Sequence, residues 1–132
     1  MTLSVEERNA ILFHRVQKAK DTLHEAKGNI ELGFWTTAAN RLYYACYYMA
    51  GALLIKNGYF AHTHSGVIRL LGQHFISEGI ISKELGKFYS QLFELRQTGD
   101  YDDWRIIEES DVQVLVKPAE DFIKTVEEII LS

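Results

Sequence analysis

The chain has almost no cysteine or proline: one of each in 132 residues, Cys46 and Pro118. A single thiol excludes an intrachain disulfide, so packing and hydrogen bonding alone must close the fold. With one proline, no low-complexity tract and no internal repeat, nothing reads as a linker, and a single domain over residues 1–132 is expected. Sustained polar–apolar alternation is missing too, which excludes a sheet. The long charge-free run, Leu42 to Ile55, is 14 residues, short of the ~20 that cross a bilayer. The first ten residues, MTLSVEERNA, lack the basic-then-apolar pattern of an export signal, so the cytoplasm is the expected compartment. Positive charge is in deficit, 14 Lys plus Arg against 18 Asp plus Glu. That excludes a protein that coats nucleic acid nonspecifically, because phosphate neutralisation dominates such affinity. Any nucleic-acid site must be a local basic pocket.

What is present is helical periodicity from end to end. Ser4 followed by Glu7 reads as a capping box, and Val5, Leu12, Val16, Ala19, Leu23, Ala26 and Ile30 recur at helical spacing. Gly33 ends this helix, unless Gly28 kinks it or stops it earlier. Thr36 or Thr37 caps a second helix, which closes at Asn57-Gly58, a good left-handed stop. YFAHTH reads as a loop. A short third helix runs from about His64 to Ile76, burying Val67, Leu70, Leu71 and Phe75. Ser82 opens a fourth, with Leu85, Phe88, Tyr89, Leu92 and Phe93 on one face and Gly99 as its stop. A last helix, capped by Ser110, turns Val112, Leu115, Val116, Ala119, Phe122, Ile123, Val126, Ile129 and Ile130 inward. Pro118 falls inside that pattern and predicts a kink. The expectation is an all-α, antiparallel bundle of four to five helices.

The second helix, NRLYYACYYMAGALLIK, carries four tyrosines in six residues. At about 100° per residue, Leu42, Ala45, Cys46, Met49 and Leu53 form one apolar stripe. Tyr43, Tyr47, Ala50 and Leu54 form a second, and Tyr44, Tyr48, Gly51 and Ile55 occupy most of the rest. A helix apolar all round is buried on most sides. Four partners with one apolar stripe each should leave it short of cover. A homodimer would supply the deficit, with Tyr44 and Tyr48 at its two-fold interface, where a tyrosine can bury its ring and keep its hydroxyl wet. Cys46 reads as a small core residue.

Arg96 is the residue that the periodicity does not explain. It falls four after Leu92, three after Phe93 and seven after Tyr89, so it continues the apolar stripe of the fourth helix. A cation there is partly desolvated and needs a partner. Asp100, Asp102 or Asp103 could supply a helix-end ion pair; a phosphate would match the guanidinium fork. Of the five histidines, His14 and His24 read as surface positions and His74 as solvated or half-packed. His62 and His64, two apart in a loop, could chelate a metal, but no recognised spacing completes a set, and His64 reads better as the start of the third helix. GDYDDW has no calcium-loop spacing and reads as a solvated turn. With no phosphate-binding glycine loop, nucleophile elbow or zinc-ligand pair, neither metal nor cofactor is expected.

Three stretches in order, AANRLYYACYYMAGALL, THSGVIRLLGQHFI and ELGKFYSQLFELRQTGDYDD, make the chain resemble the short stand-alone HEPN proteins of bacteria and archaea. The resemblance spans roughly Ala10 to Ile123. It implies a homodimeric helical bundle. Many members of that family are metal-independent ribonuclease toxins, often encoded beside a minimal nucleotidyltransferase that acts as antitoxin. Their signature is an arginine followed, after four to six residues, by a histidine, with the two chains' motifs facing across a dimer cleft. Arg96 matches the arginine; where the histidine should follow stands Tyr101. The resemblance therefore implies a module that binds a minimal nucleotidyltransferase, a nucleotide or an RNA phosphate in a cleft around Arg96, with Asn40, Arg41 and Tyr44. The alternative is an endoribonuclease using Arg96 and Tyr101. Such an enzyme makes the ribose 2′-hydroxyl attack the adjacent phosphate, and the proton must move near neutral pH. Histidine titrates near 6.5, whereas a phenol near 10 is ionised at about one part in a thousand at pH 7. Tyr101 could protonate a leaving oxygen but is a poor base, so strong catalysis is not expected.

Overall fold

A computed structural model describes residues 3–132; Met1 and Thr2, which begin the stretch without an export pattern, lie outside the described residues. Five α-helices follow in order: α1 Val5–Glu31, α2 Trp35–Lys56, α3 His64–Leu71, α4 Lys83–Tyr101 and α5 Glu109–Leu131. A π-type turn, Gly72–Ile76, carries α3 on to the end that its sequence suggests. Among the described residues there is no strand, and no helix is long and apolar enough to cross a membrane.

Several ends form as their local chemistry dictates. The Ser4 hydroxyl accepts from the Glu7 amide at 3.1 Å, and the Ser4 amide donates to the Glu7 carboxylate at 3.0 Å. Ser82 accepts from the Leu85 amide at 3.2 Å. Gly33 and Gly58 take φ of 75° and 81°, the left-handed region in which a side chain would be strained. Gly28 stays inside α1.

Other ends were decided by tertiary packing. α2 starts at Trp35 with Phe34 as its cap, so neither Thr36 nor Thr37 caps it. The tight turn after α1 sets that start, with the Phe34 amide donating to Asn29 O at 2.9 Å and the Ala38 amide to Phe34 O at 2.8 Å. α4 does not stop at Gly99 but continues to Tyr101. Gly99 serves a close approach instead: a Cβ there would meet Ile107 and Thr36 at 3.3 Å. α5 is capped by Glu108, not Ser110, with the Asp111 carboxylate accepting from the Glu108 amide at 2.9 Å. It runs uninterrupted through Pro118. The carbonyl four residues earlier belongs to Val114, which is exposed and can turn to water. Val5, placed on the inner stripe of α1 by its spacing, is 70% exposed, because it precedes the first residue that α1 packs against its neighbours.

The core lies along α2. Ala38, Leu42, Ala45, Cys46, Met49 and Leu53 are wholly shut off from solvent, covered by α1, α5 and α4. The shortage of cover expected for α2 does not arise within the chain. Alanines on α2 let its neighbours come close, and Phe122, Ile123 and Val126 of α5 are buried with them in one cluster. Each large side chain fully buried in this way contributes roughly 1.5–3 kcal/mol. The Lys56 ammonium donates to Ile130 O and joins the ends of α2 and α5, while Lys27–Glu120 at 3.2 Å links α1 to α5. From Leu42 to Ile55, only Tyr44, Tyr47 and Tyr48 remain half-buried.

Candidate functional site

That half-open side of α2 meets the start of α3 and the C-terminal part of α4. Arg96 is presented there by α4, on the face that also buries Phe88, Tyr89, Leu92 and Leu95, and is itself only 3% exposed. Its guanidinium carbon lies 4.9 Å from the Tyr43 ring centre, 5.3 Å from Tyr44, 5.8 Å from Phe93 and 6.0 Å from Tyr101. Aromatic faces attract a cation, most strongly where water is excluded. The closely spaced tyrosines thus have a purpose beyond filling volume: they form an aromatic cradle for a charge.

The polar partners of Arg96 are weak. One terminal nitrogen donates to Gln97 Oε1 at 3.2 Å; the other donates to His64 Nε2 at 3.2 Å and Tyr44 Oη at 3.4 Å. Asp100 Oδ2 stands 3.8 Å away, a loose ion pair. Asp102 is engaged elsewhere, accepting from the Trp104 amide at 2.9 Å, and forms no pair with Arg96. Arg96 Nε is buried with no hydrogen-bond partner.

His64, the first residue of α3, is half-buried, and Thr63 before it caps the helix by accepting from the Gly66 amide at 2.9 Å. The ring lies 4.7 Å from that of Tyr47, and its Nδ1 is 2.7 Å from Tyr43 Oη. The tautomer follows by elimination. A guanidinium has only donors, so Nε2 must accept from Arg96 and carry no proton. In a neutral ring the proton is then on Nδ1, which donates to the Tyr43 oxygen. Burial and, after it, the Arg96 charge hold His64 below its ordinary pKa, in keeping with a neutral ring. Burial raises Tyr43 to about 12, so its hydroxyl stays protonated at physiological pH.

Asn40 and Arg41 stand behind Asp100. Asn40 Nδ2 donates to Asp100 Oδ2 at 3.1 Å, and Arg41 donates twice to Asn40 Oδ1, at 2.8 and 3.0 Å. The Arg41 guanidinium lies 5.3 Å from the Tyr44 ring, opposite a looser contact with Glu25 at 3.7 Å. Of the residues singled out from the sequence, Arg96, Tyr44 and Tyr101 line one cleft of about 640 Å³, together with His64, Ser65 and Gln97. Asn40 and Arg41 connect to it through Asp100. Tyr48 does not line it; the Lys18 ammonium sits 4.7 Å over its ring.

The residue that spacing did not bring into this group is His64. It lies 32 positions before Arg96, and the only local signal was a histidine beside a helix cap. Chelation together with His62 does not suit the geometry, since both ring nitrogens of His64 already face protein partners, one of them a cation. Among the described residues no three metal-binding side chains gather into a cluster. A second hollow of about 600 Å³, lined by Leu71, Ile76, Ile81, Tyr89 and Phe122, is mainly apolar and carries no comparable chemistry.

The HEPN domain family model matches residues 14–129. The chain belongs to the HEPN family. It is 36% identical over 126 residues to a Thermotoga maritima protein named "UPF0332 protein", covering 96% of each chain. It is 26% identical over 117 residues to "Putative toxin MJ0142" of Methanocaldococcus jannaschii, covering 89% of this chain and 80% of that one. The crystal structure of a HEPN domain protein, tm0613 of Thermotoga maritima, superposes with a TM-score of 0.67 at 22% identity, covering 89% of this chain and 98% of that one, which shows the shared fold. In this HEPN protein Arg96, in the last turns of α4, is followed after four residues by Tyr101, 73% exposed at the cleft rim.

Proposed function

We propose that this HEPN protein is a cytoplasmic, homodimeric module whose Arg96 cleft takes a phosphate of RNA or of a nucleotide, with a minimal nucleotidyltransferase as its protein partner. One observation carries the reading: a cation 3% exposed at an open cleft, with Nε unpartnered and its carboxylate no closer than 3.8 Å. A buried charge so loosely paired is costly until an anion completes it. Phosphate offers paired acceptor oxygens at the spacing of the guanidinium fork, and the loose Asp100 contact can yield to it. Tyr44 at the cleft wall, with both Arg41 and Arg96 over its ring, brings a second cation close to the place a nucleotide would occupy. A relative named as a toxin fits a cleft that engages RNA or a nucleotide.

The test is binding of a short fluorescent single-stranded RNA, followed by anisotropy, and of ADP, followed by calorimetry. Arg96→Ala should weaken at least one of them by about tenfold or more, with the helical circular dichroism unchanged; a lost charge-assisted fork contact is worth about 1.5–3 kcal/mol. Wild-type affinity for both ligands in Arg96→Ala would refute the reading.

A second reading, endoribonuclease, is favoured by the position of Tyr101. Its ring is at the cleft rim beside Arg96, where a phenol could protonate a departing oxygen.

A further inference from the structure

The cleft holds one titratable group that neither the arginine nor the tyrosine explains. His64 is braced on one side by Tyr43 at 2.7 Å and turns its unprotonated Nε2 toward Arg96 at 3.2 Å. A histidine serving only as packing has no need of a fixed tautomer with its lone pair turned to a cation at an open cleft. We infer that His64 is the proton acceptor for a metal-independent cleavage of RNA in this cleft, taking the proton of the ribose 2′-hydroxyl next to the phosphate that Arg96 holds. The inference rests on the reading of Arg96 as a phosphate ligand and on the endoribonuclease reading of the cleft, and names the residue that takes the proton.

The geometry gives the substrate a part in arming the base. With the cleft empty, the lone pair of Nε2 accepts from Arg96. A phosphate that engages the guanidinium competes for that N–H and frees Nε2 for the 2′-hydroxyl. Nε2 then takes the hydroxyl proton, the 2′-oxygen bonds to phosphorus, and the bond from phosphorus to the 5′-oxygen breaks. The departing oxygen takes a proton from the Tyr101 hydroxyl, and the phenolate recovers one from the His64 imidazolium through solvent. The products are a 2′,3′-cyclic phosphate and a 5′-hydroxyl; no water is consumed and no metal is required. Arg96 neutralises charge on the phosphorane, and the proton carrier that the chain lacks after Arg96 comes from another helix.

The surroundings define the pH dependence. Tyr43, Tyr44 and Tyr47 of α2 face the ring, and Phe93 and Arg96 come from α4, with Tyr101 across the cleft. Asp100 lies on the far side of the site, paired with Asn40 and loosely with Arg96. Burial and, after it, the positive neighbour hold the ring neutral, so cleavage should persist to a lower pH than an ordinary histidine would allow. Tyr43 acts as a positioning residue, through the tautomer alone.

The experiment follows end-labelled single-stranded RNA in EDTA from pH 5 to pH 9 with the wild-type protein and with His64→Gln, His64→Asn, Tyr43→Phe and Arg96→Ala. Wild type should produce fragments ending in cyclic phosphate, with an acid limb whose midpoint lies below the usual ~6.5 of histidine. Both His64 variants should cut about a hundredfold more slowly or worse and lose that limb, while binding the RNA within a few-fold of wild type. Tyr43→Phe should lower the rate and move the limb. If wild type binds RNA but never cuts it, or if the His64 variants cut as fast as wild type, the inference fails and the phosphate reading stands. If Arg96→Ala leaves RNA binding intact while wild type cuts, the reading of Arg96 fails on its own.

Discussion

On one side of α2, Ala38, Leu42, Ala45, Cys46, Met49 and Leu53 are sealed from solvent by neighbouring helices. On the other, Tyr43 is equally sealed, Tyr44 and Tyr47 are half-buried beside His64 and Arg96, and Tyr48 is half-buried next to them. The first side contains no polar group that needs a partner beyond the Cys46 thiol, which burial holds protonated far above its ordinary range and so leaves unreactive. The second is just as rich in carbon, yet two of its hydroxyls are committed, Tyr43 to His64 and Tyr44 to Arg96. Phenylalanines would fill the same space but leave the imidazole without a brace and the cation without an acceptor. One face of the helix folds the protein; the other holds a charge and a proton carrier in place.

Substitutions should separate the two faces. The largest effect on stability belongs to the dry face: Met49→Ala should cost about 2–5 kcal/mol in urea unfolding, while the folded fraction still binds RNA with unchanged affinity. Loss of binding by folded Met49→Ala would show that the faces are not independent. Next comes Tyr43→Phe, which leaves Nδ1 of His64 without its acceptor and should cost about 1 kcal/mol. Arg96→Ala should change stability by less, within about 1 kcal/mol, because removing a poorly paired buried cation offsets the packing lost. A drop of several kcal/mol there would make Asp100 its true partner and the residue a structural one.

A smaller effect comes from pH. His64 is held below its unfolded pKa, so the unfolded chain binds more protons as pH falls below about 6.5. Its contribution is therefore complete above that value and is lost as pH falls through the lowered folded pKa. Thermal scans between pH 7.5 and pH 5 should show this slope in wild type, reduced in His64→Gln. The smallest change in chain stability, about 0.5 kcal/mol or less, is expected for Tyr48→Arg, since Tyr48 lies at the edge beneath Lys18. Sedimentation should find wild type at twice its chain mass and Tyr48→Arg as a folded monomer. A wild-type monomer would remove the dimer from the proposal and leave the half-buried tyrosines to the cleft alone.

Helix number and inner faces were legible from periodicity because an apolar stripe has only one way to leave water. Val67, Leu70, Leu71, Phe88, Leu92, Phe122 and Val126 are buried as their spacing predicts. Arg96 was legible for the same reason, as a charge out of place on such a stripe. Side-chain caps at Ser4 and Ser82 are local interactions and were readable as such. The starts of α2 and α5 were not. They depend on a turn fitted to α1 and on the Glu108–Asp111 exchange, with Arg105 also reaching Asp111 at 3.0 Å.

By itself, then, the sequence determined five helices, a charge-free run from Leu42 to Ile55 in the central one, and a cation at a position meant for leucine, since each follows from local spacing and the cost of burying charge. Only the tertiary structure decided what stands beside that cation. His64 comes to within 3.2 Å of Arg96 because α3 and α4 both pack against α2, a relation between distant segments that no local period encodes. The same packing made Tyr44 a wall of the cleft and set Tyr43 and Tyr47 against its histidine, rather than leaving them as a surplus of core.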